Sequence, residues 1–378
     1  MTKSGKAMSA GYTIAIDAMG GDNAPDAIVA GAELALKRYP DIRYILVGDE
    51  ARLKPLLDKH RQLQACATIH HAPDAISTDM KPSQALRSGR QSSMRMAIDL
   101  VDAGEADCIV SAGNTGALMA MAKFVLKTLP GISRPAIASF FPTQRSESVM
   151  LDLGANLECS VPNLVQFAVM GAVFANTVLG RQNPTIGLLN VGAEEQKGND
   201  TIREAAATLR TMTLPGEFQG FIEGNDIPSG SVDVVVTDGF TGNIALKTAE
   251  GTAQLYSSFL RNTFAASLMA RLGYLLARPA FLKLKKRTDP RRYNGGVFLG
   301  LRGICVKSHG GTDAVGFSNA VGVAYDLLKE NCNPKIEAGI SELPAELLKG
   351  NGGAASSEAE EAAQPETDKA AATDLAGS

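Results

Sequence analysis

Residues 12–32 read YTIAIDAMGGDNAPDAIVAGA, and the fold follows from this stretch. A short β-branched and apolar run, 12–17, ends at Asp17 and reads as a strand. Gly20 and Gly21 permit a tight turn, Asp22 or Asn23 stands where a helix cap is needed, and Pro25 suits the first turn of a helix over 25–38. Strand, polar turn and helix then recur along the chain. Further strands are predicted at 43–47, 107–111, 136–140, 149–153, 185–190, 232–237 and 304–307. Helices are predicted at 83–103, 115–127, 163–179, 199–211, 242–262 and 317–331. The alternation argues for an α/β fold with a mostly parallel sheet and helices on both faces. The strands are nearly continuous apolar runs, as two-sided cover requires.

The turns after these strands carry the chemistry. They are SAGNTGA from Ser111, DLGAN from Asp152, NVGAEEQKGND from Asn190, TDGFTGN from Thr237 and KSHGGTD from Lys307, beside the first one. Ligands of open α/β sheets gather at the carboxyl ends of strands, so six such turns are expected to meet at one edge in one polar cleft. A helix N-terminus there offers free N–H groups and a partial positive charge to an anion. The nucleotide signatures GxxxxGK[ST] and GxGxxG are absent, which weakens mononucleotide hydrolysis and dinucleotide binding.

Composition sets outer bounds. The chain has 378 residues, 45% hydrophobic and 20% charged, with a net charge of −3. After Gly350 there are six acids against one base, so that end carries −5 and the rest +2. This is no polybasic signature, and no nucleic-acid partner is expected. Five cysteines without a CxxC pair fit a reducing cytoplasm better than a disulfide framework or a zinc knuckle. The uncharged run 159–180 is long enough for a membrane span, but Pro162, Asn163, Gln166, Asn176 and Thr177 argue for a buried core helix. No signal-peptide pattern stands at residues 1–11, which read as a loose leader; 12–345 reads as one domain and 346–378 as a disordered acidic tail.

Glu194, Glu195 and Lys197 share one turn, where the lysine can clamp an anion or stabilise an oxyanion, or simply belong to a solvated charge cluster. Asp238, Thr241 and Asn243 stand at another strand-to-helix junction, with Lys247 one turn on. Lys307 and His309 precede two glycines; a lone histidine is more often structural than catalytic. No GxSxG elbow supports a serine nucleophile, and Cys159 reads as a buried thiol. Asp17, Asp152 and Asp238 are the carboxylates that a metal would need, yet carboxylates at strand ends commonly cap helices. No metal or cofactor is expected.

IAIDAMGGDNAPDAIVAGA, SAGNTGALMA, LDLGAN, LLNVGAEEQKGND, VVVTDGFTGNIALKT and GLRGICVKSHGGTDA together resemble, in order, the signature segments of the acyl-[acyl-carrier-protein]:phosphate acyltransferases of bacterial phospholipid synthesis. The likeness spans roughly residues 12–335. In LRSGRQSSM, Gly89 and Gln91 stand where many members have a more basic run and an Asp. The resemblance implies a three-layer α/β/α fold similar to phosphate acetyltransferases and isopropylmalate dehydrogenases. It implies a homodimer that moves a long-chain acyl group from acyl carrier protein to inorganic phosphate. It also implies that a membrane glycerol-3-phosphate acyltransferase consumes the acyl phosphate. A short-chain enzyme using acyl-coenzyme A and a non-catalytic membrane scaffold are the competing readings. On the implied reaction, Gly20, Gly21, Asn114, Thr115 and Lys307 are assigned to phosphate. Lys197 and Asn243 are assigned to the oxyanion or leaving sulfur, and His309 to proton donation or phosphate orientation. Asp17, Asp238 and Thr241 are counted with the substrate-binding residues, the two aspartates by fixing turn geometry.

Residues 255–292 differ in character, with nine bases against the single acid Asp289. Leu260, Phe264, Leu268, Leu272 and Leu276 recur every four residues and predict one apolar helical stripe, interrupted at Pro279. An amphipathic basic helix suits the anionic inner face of the cell membrane; a dimer-packing pair of helices and a docking site for the acidic carrier protein fit the same pattern.

Overall fold

Alternation along β1 (Thr13–Asp17) explains why the sheet is covered on both sides. Ile14 and Ile16 enter one hydrophobic layer and Ala15 the other. All three are fully buried in the computed structural model, which describes residues 11–287 and 289–348. The remaining strands are β2 (Arg43–Gly48), β3 (Ala67–His71), β4 (Cys108–Ser111), β5 (Ala136–Pro142), β6 (Glu147–Leu151), β7 (Thr185–Leu189), β8 (Glu217–Ile222), β9 (Val234–Val236), β10 (Gly296–Leu299) and β11 (Ile304–Lys307). They form one sheet in the order β3-β2-β1-β4-β11-β10-β5-β6-β9-β7-β8.

One face is covered by helices Asp26–Leu36, Val161–Leu179, Asp200–Thr211, Ala314–Lys329 and Cys332–Ser341. The other is covered by Ser93–Asp102, Thr115–Leu126 and the first turns of Gly239–Ala265. The result is the expected three-layer α/β/α arrangement. Helix Val161–Leu179 is long and apolar enough to cross a membrane, but 78% of that stretch is buried inside the protein, so it is a core helix.

The expectation that all six turns meet at one edge fails, because the sheet reverses direction. β1, β2, β3, β4 and β11 run parallel. β10 is antiparallel to both β11 and β5, and β5 is antiparallel to β6. β6, β7, β8 and β9 are again parallel to one another, and therefore opposite to β1. The turns after β1, β4 and β11 lie at one edge, and those after β6, β7 and β9 at the other. Strands β3, β8 and β10 escaped the sequence reading. β10 is only four residues long and follows Asn294 and Gly295, which read as a loop.

Other expectations change in detail. Neither Asp22 nor Asn23 caps the first helix: its N-cap is Pro25, without a side-chain hydrogen bond. The predicted helix 83–103 is two, Pro82–Ser88 and Ser93–Asp102, because the Ser92 side chain caps the second. The single stripe over 255–292 is a hairpin. Helix Gly239–Ala265 ends, helix Leu268–Arg287 begins, and the second continues through Pro279. Phe264, Tyr274 and Phe281 cluster between the two, with ring centroids 5.0–5.5 Å apart. The body runs past residue 345: Ala345–Leu348 is helical, and the Gln166 side chain donates to the Leu347 carbonyl at 2.6 Å. The predicted leader, apart from Gly11, and the tail beyond Leu348 lie outside the described residues.

Candidate active site

The turns after β1, β4 and β11 interlock around one buried carboxylate. Asp17 accepts from Ser93 Oγ at 2.6 Å and from Ser111 Oγ at 2.7 Å. Burial pushes its pKa up, while the two hydroxyls, a backbone N–H and the Lys307 ammonium pull it down. A Cβ on Gly20 would lie 2.3 Å from Asp17 Oδ2, so only glycine lets the turn close over the carboxylate. Gly21 has φ +99°, and Asp22 N–H donates to Gly310 O at 2.9 Å. Asn23 Nδ2 reaches Thr312 O at 3.0 Å, which ties this turn to the one after β11.

Lys307, at the end of β11, donates to Ala112 O at 3.4 Å and to the Ser308 carbonyl. Burial pushes its pKa down to about 8, against the opposing pull of Asp17 and Asp22; Lys247 adds to the depression. His309 is exposed; its N–H donates to Asn294 Oδ1 at 2.8 Å, and its Nδ1 accepts from Gly311 N–H at 3.2 Å. In a neutral ring the proton therefore sits on Nε2.

The side chain of Asn114 is fully engaged. Its Oδ1 caps the helix by accepting from Ala117 N–H at 3.0 Å, and its Nδ2 donates to Thr78 O and Met80 O, both at 2.9 Å. What this turn offers an anion is the opening of helix Thr115–Leu126 rather than the Asn114 amide.

At the opposite edge, Asp152 is buried and accepts from the N–H groups of Ile137, Ala155 and Asn156, and from Asn156 Nδ2. Asp238 caps helix Gly239–Ala265: Oδ1 accepts from Thr241 N–H at 2.8 Å and Oδ2 from Thr241 Oγ1 at 2.9 Å. Asn243 is exposed one turn on and lies over Gly154. Asp17 thus stands across the sheet from Asp152 and Asp238. Among the described residues no cluster of three or more His, Cys, Asp or Glu could hold a metal.

The two edges communicate through one cavity of about 540 Å³. Thr115, Gly116, Met119 and Ala120 form one wall and Gly239, Phe240, Asn243 and Ile244 the other, over a floor that includes Ile137 and Leu153. None of its lining residues is charged. The two helices start from opposite edges of the sheet, so their first turns approach across it. A second cavity of about 570 Å³, at the ends of β7 and β9, shares Leu157 and Phe240 with the first. Cys159 lines the second, and burial pushes its thiol up to about 12.

Lys197 lines neither cavity. It is exposed on the turn after β7, where its carbonyl accepts from Asn190 Nδ2 at 3.1 Å. Gly20, Gly21, Lys307 and His309 are thus gathered at one edge. Thr115 and Asn243 face one cavity, Asp238 and Thr241 border the other, and Lys197 stands apart. Sequence reasoning missed Ser93, Asn294 and Ser308. Ser308 inside KSHGGTD, like Ser111 opening its motif, stands in a stretch already singled out.

Residues 12–335 match the family described as fatty acid synthesis protein. A phosphate acyltransferase of Rhodospirillum centenum is 68% identical over 340 residues, covering 90% of this chain and 96% of that one. Its counterpart in Rhodospirillum rubrum is 60% identical over 336 residues, covering 89% and 96%. Among solved structures, the EutD phosphotransacetylase from Staphylococcus aureus is similar in fold, with a TM-score of 0.57 and 17% identity over 84% of this chain and 94% of that one. A phosphotransacetylase from Streptococcus pyogenes gives 0.56 and 18%, over 85% and 94%. The chain belongs to the fatty acid synthesis protein family, among its phosphate acyltransferases, and is an acyltransferase with phosphate as acceptor.

Proposed function

We propose that the enzyme transfers a long-chain fatty acyl group from acyl carrier protein to inorganic phosphate. The observation that carries this reading is the uncharged, mostly apolar cavity between helices Thr115–Leu126 and Gly239–Ala265, whose wall at Thr115 follows closely on Ser111, the register partner of Lys307. A short acyl group would leave most of that apolar wall without a partner, which disfavours the acetyl- or butyryl-coenzyme A alternative. The phosphate lies among the turn amides at Gly20 and Gly21, the first turn at Thr115 and the Lys307 ammonium. Its oxygen attacks the thioester carbonyl; a C–O bond forms, the C–S bond breaks, and the thiolate leaves as the free carrier. Phosphate is already a competent nucleophile near neutral pH, so the protein's work is positioning and charge stabilisation. Asn243 donates to the oxyanion. His309 Nε2–H orients phosphate; with Nδ1 engaged as an acceptor the ring is neutral, and the proton that the thiolate takes is the one carried by the attacking hydrogen phosphate. Lys197 serves only if its turn folds over the cavity.

The hairpin supports two further parts of this reading, a homodimer and attachment to the inner face of the cell membrane. Leu268, Met269 and Leu276 are exposed by 81%, 78% and 77%, and together with exposed Leu272, Leu275 and Leu282 they give one helix an apolar surface that a partner or bilayer would cover. At the membrane the acyl phosphate is handed to a glycerol-3-phosphate acyltransferase.

The test is incubation with palmitoyl-carrier protein and phosphate, trapping acyl phosphate with hydroxylamine. Palmitoyl hydroxamate that requires phosphate supports the reading. Its absence, or faster turnover of acetyl-coenzyme A, overturns it.

A further inference from the structure

Helix Thr115–Leu126 changes character along one face. Gly116 and Ala120 line the cavity, and Lys123, one turn beyond Ala120 on that face, is exposed. Lys127 follows at the end of the helix, and partial desolvation of an ammonium whose side chain is otherwise exposed, with the nearby Arg134, pushes the Lys123 pKa down. The neighbouring helix Pro82–Ser88 packs against this one; Pro82 lines the cavity, with Lys81 before it and Arg87 and Arg90 beyond.

None of these six cations forms an ion pair among the described residues. The opposite wall differs, since Lys247 is paired with Glu250 at 2.8 Å. Against these six cations stands the exposed acid Asp79 beside Lys81, so net positive charge is concentrated on one side of the cavity. In its midst Phe124 is 57% exposed, with the Arg95 guanidinium 5.7 Å from its ring centre. Clustered like charges repel unless a partner of opposite sign covers them, and such a patch steers an acidic partner towards the opening beside it.

We propose that this rim, helices Pro82–Ser88 and Thr115–Leu126 with Arg134, is the docking surface for an acidic carrier protein, whose thioester-bearing arm enters the cavity past Ala120. The inference rests on the function proposed above and adds where the donor sits. A carrier fits better than a lipid surface, because the rim borders the cavity and exposes a single large apolar residue, Phe124, whereas the large exposed apolar side chains crowd the hairpin. The segment Leu86–Met94 thereby supplies charge through Arg87 and Arg90.

The experiment uses the full chain with Lys123→Glu, Arg87→Glu and the pair, and Lys329→Glu on the other layer as control. The rim variants raise KM for palmitoyl-carrier protein about tenfold, with kcat and phosphate KM held within roughly twofold and a flatter dependence on salt. The control leaves all three unchanged, and melting temperatures confirm that each variant folds. Anisotropy of a labelled, unacylated carrier protein gives the same ranking without turnover. Failure of the wild type to make acyl phosphate counts against the proposed function, while the anisotropy series still tests the rim. Equal carrier affinity across the series overturns the inference. So does a rise in KM from Arg271→Glu on the hairpin but not from the rim, or loss of binding to anionic vesicles by the rim variants with carrier affinity intact.

Discussion

Ser111 Oγ donates to Asp17 Oδ2 at 2.7 Å, joining the ends of β4 and β1. Ser111→Ala removes one of two hydroxyl donors to a fully buried carboxylate, and destabilisation of about 1–3 kcal/mol is expected at neutral pH. The sign with pH is fixed. Burial raises the Asp17 pKa in the folded state, so the carboxyl's contribution is fullest below its unfolded pKa and is lost as pH rises through the folded value. Losing a donor raises the folded value further. Urea unfolding at neutral and mildly acidic pH should therefore give the larger penalty at neutral pH; an equal penalty at both contradicts the argument.

Lys307 provides a second pH-dependent expectation. Its pKa is pushed down to about 8, so its charge fades in the mildly alkaline range where an exposed lysine keeps it. If the ammonium holds phosphate, KM for phosphate rises as pH climbs through about 8. Lys307→Arg shifts that limb out of reach. Lys307→Met abolishes it and raises KM about tenfold or more, as loss of a charge-assisted hydrogen bond should. An unchanged phosphate KM in Lys307→Met removes the residue from the site.

Gly21→Ala is expected to disturb the same turn for a different reason. At φ +99° a Cβ would stand 2.9 Å from Gly310 O and 3.0 Å from the Ala112 side chain. A loss of more than about 1 kcal/mol follows from backbone incompatibility alone, with phosphate affinity falling alongside. Thermal melting and phosphate kinetics check both.

Ala120 faces the apolar cavity. Ala120→Phe fills space that two methylenes of a long acyl chain would use, at about 0.8 kcal/mol each. The ratio of kcat/KM for palmitoyl over octanoyl donors is expected to fall by about tenfold. A ratio equal to wild type in a folded variant places the chain elsewhere.

On the hairpin, Leu268→Glu with Met269→Glu replaces two of the most exposed apolar side chains. Flotation with anionic vesicles is expected for the wild type at low salt and to be lost in the double variant. Flotation of both equally points to the bases instead of the apolar face.

The layered fold was legible because β1, β4 and β11 are β-branched runs ending in glycine-rich turns, a pattern that backbone sterics alone enforce. The reversal of the sheet was not. The lasting change of direction is the antiparallel pairing of β5 with β6, since β10 is antiparallel to both its neighbours and cancels itself; β10 in turn is held by residues more than a hundred positions away in β5. The site was half legible for the same reason. Glycines at Gly20 and Gly21 announce a close approach, whereas Ser93 gives no local sign of reaching Asp17 76 residues distant. Asn114 misled because capping and phosphate binding favour the same residue type; only the hydrogen bonds to Thr78 and Met80 separate them. The hairpin misled because its four-residue stripe continues unbroken across the bend at Ala266 and Ser267.

Helix Gly239–Ala265 has 27 residues and extends about 40 Å. One end holds Phe240 and Asn243 against the cavity, and from Gly251 to Thr263 every residue is exposed. The helix is therefore a lever whose fulcrum lies in its first turns. Any grip on the distal arm, by the bilayer or second subunit proposed above, would bear on the wall that faces Thr115.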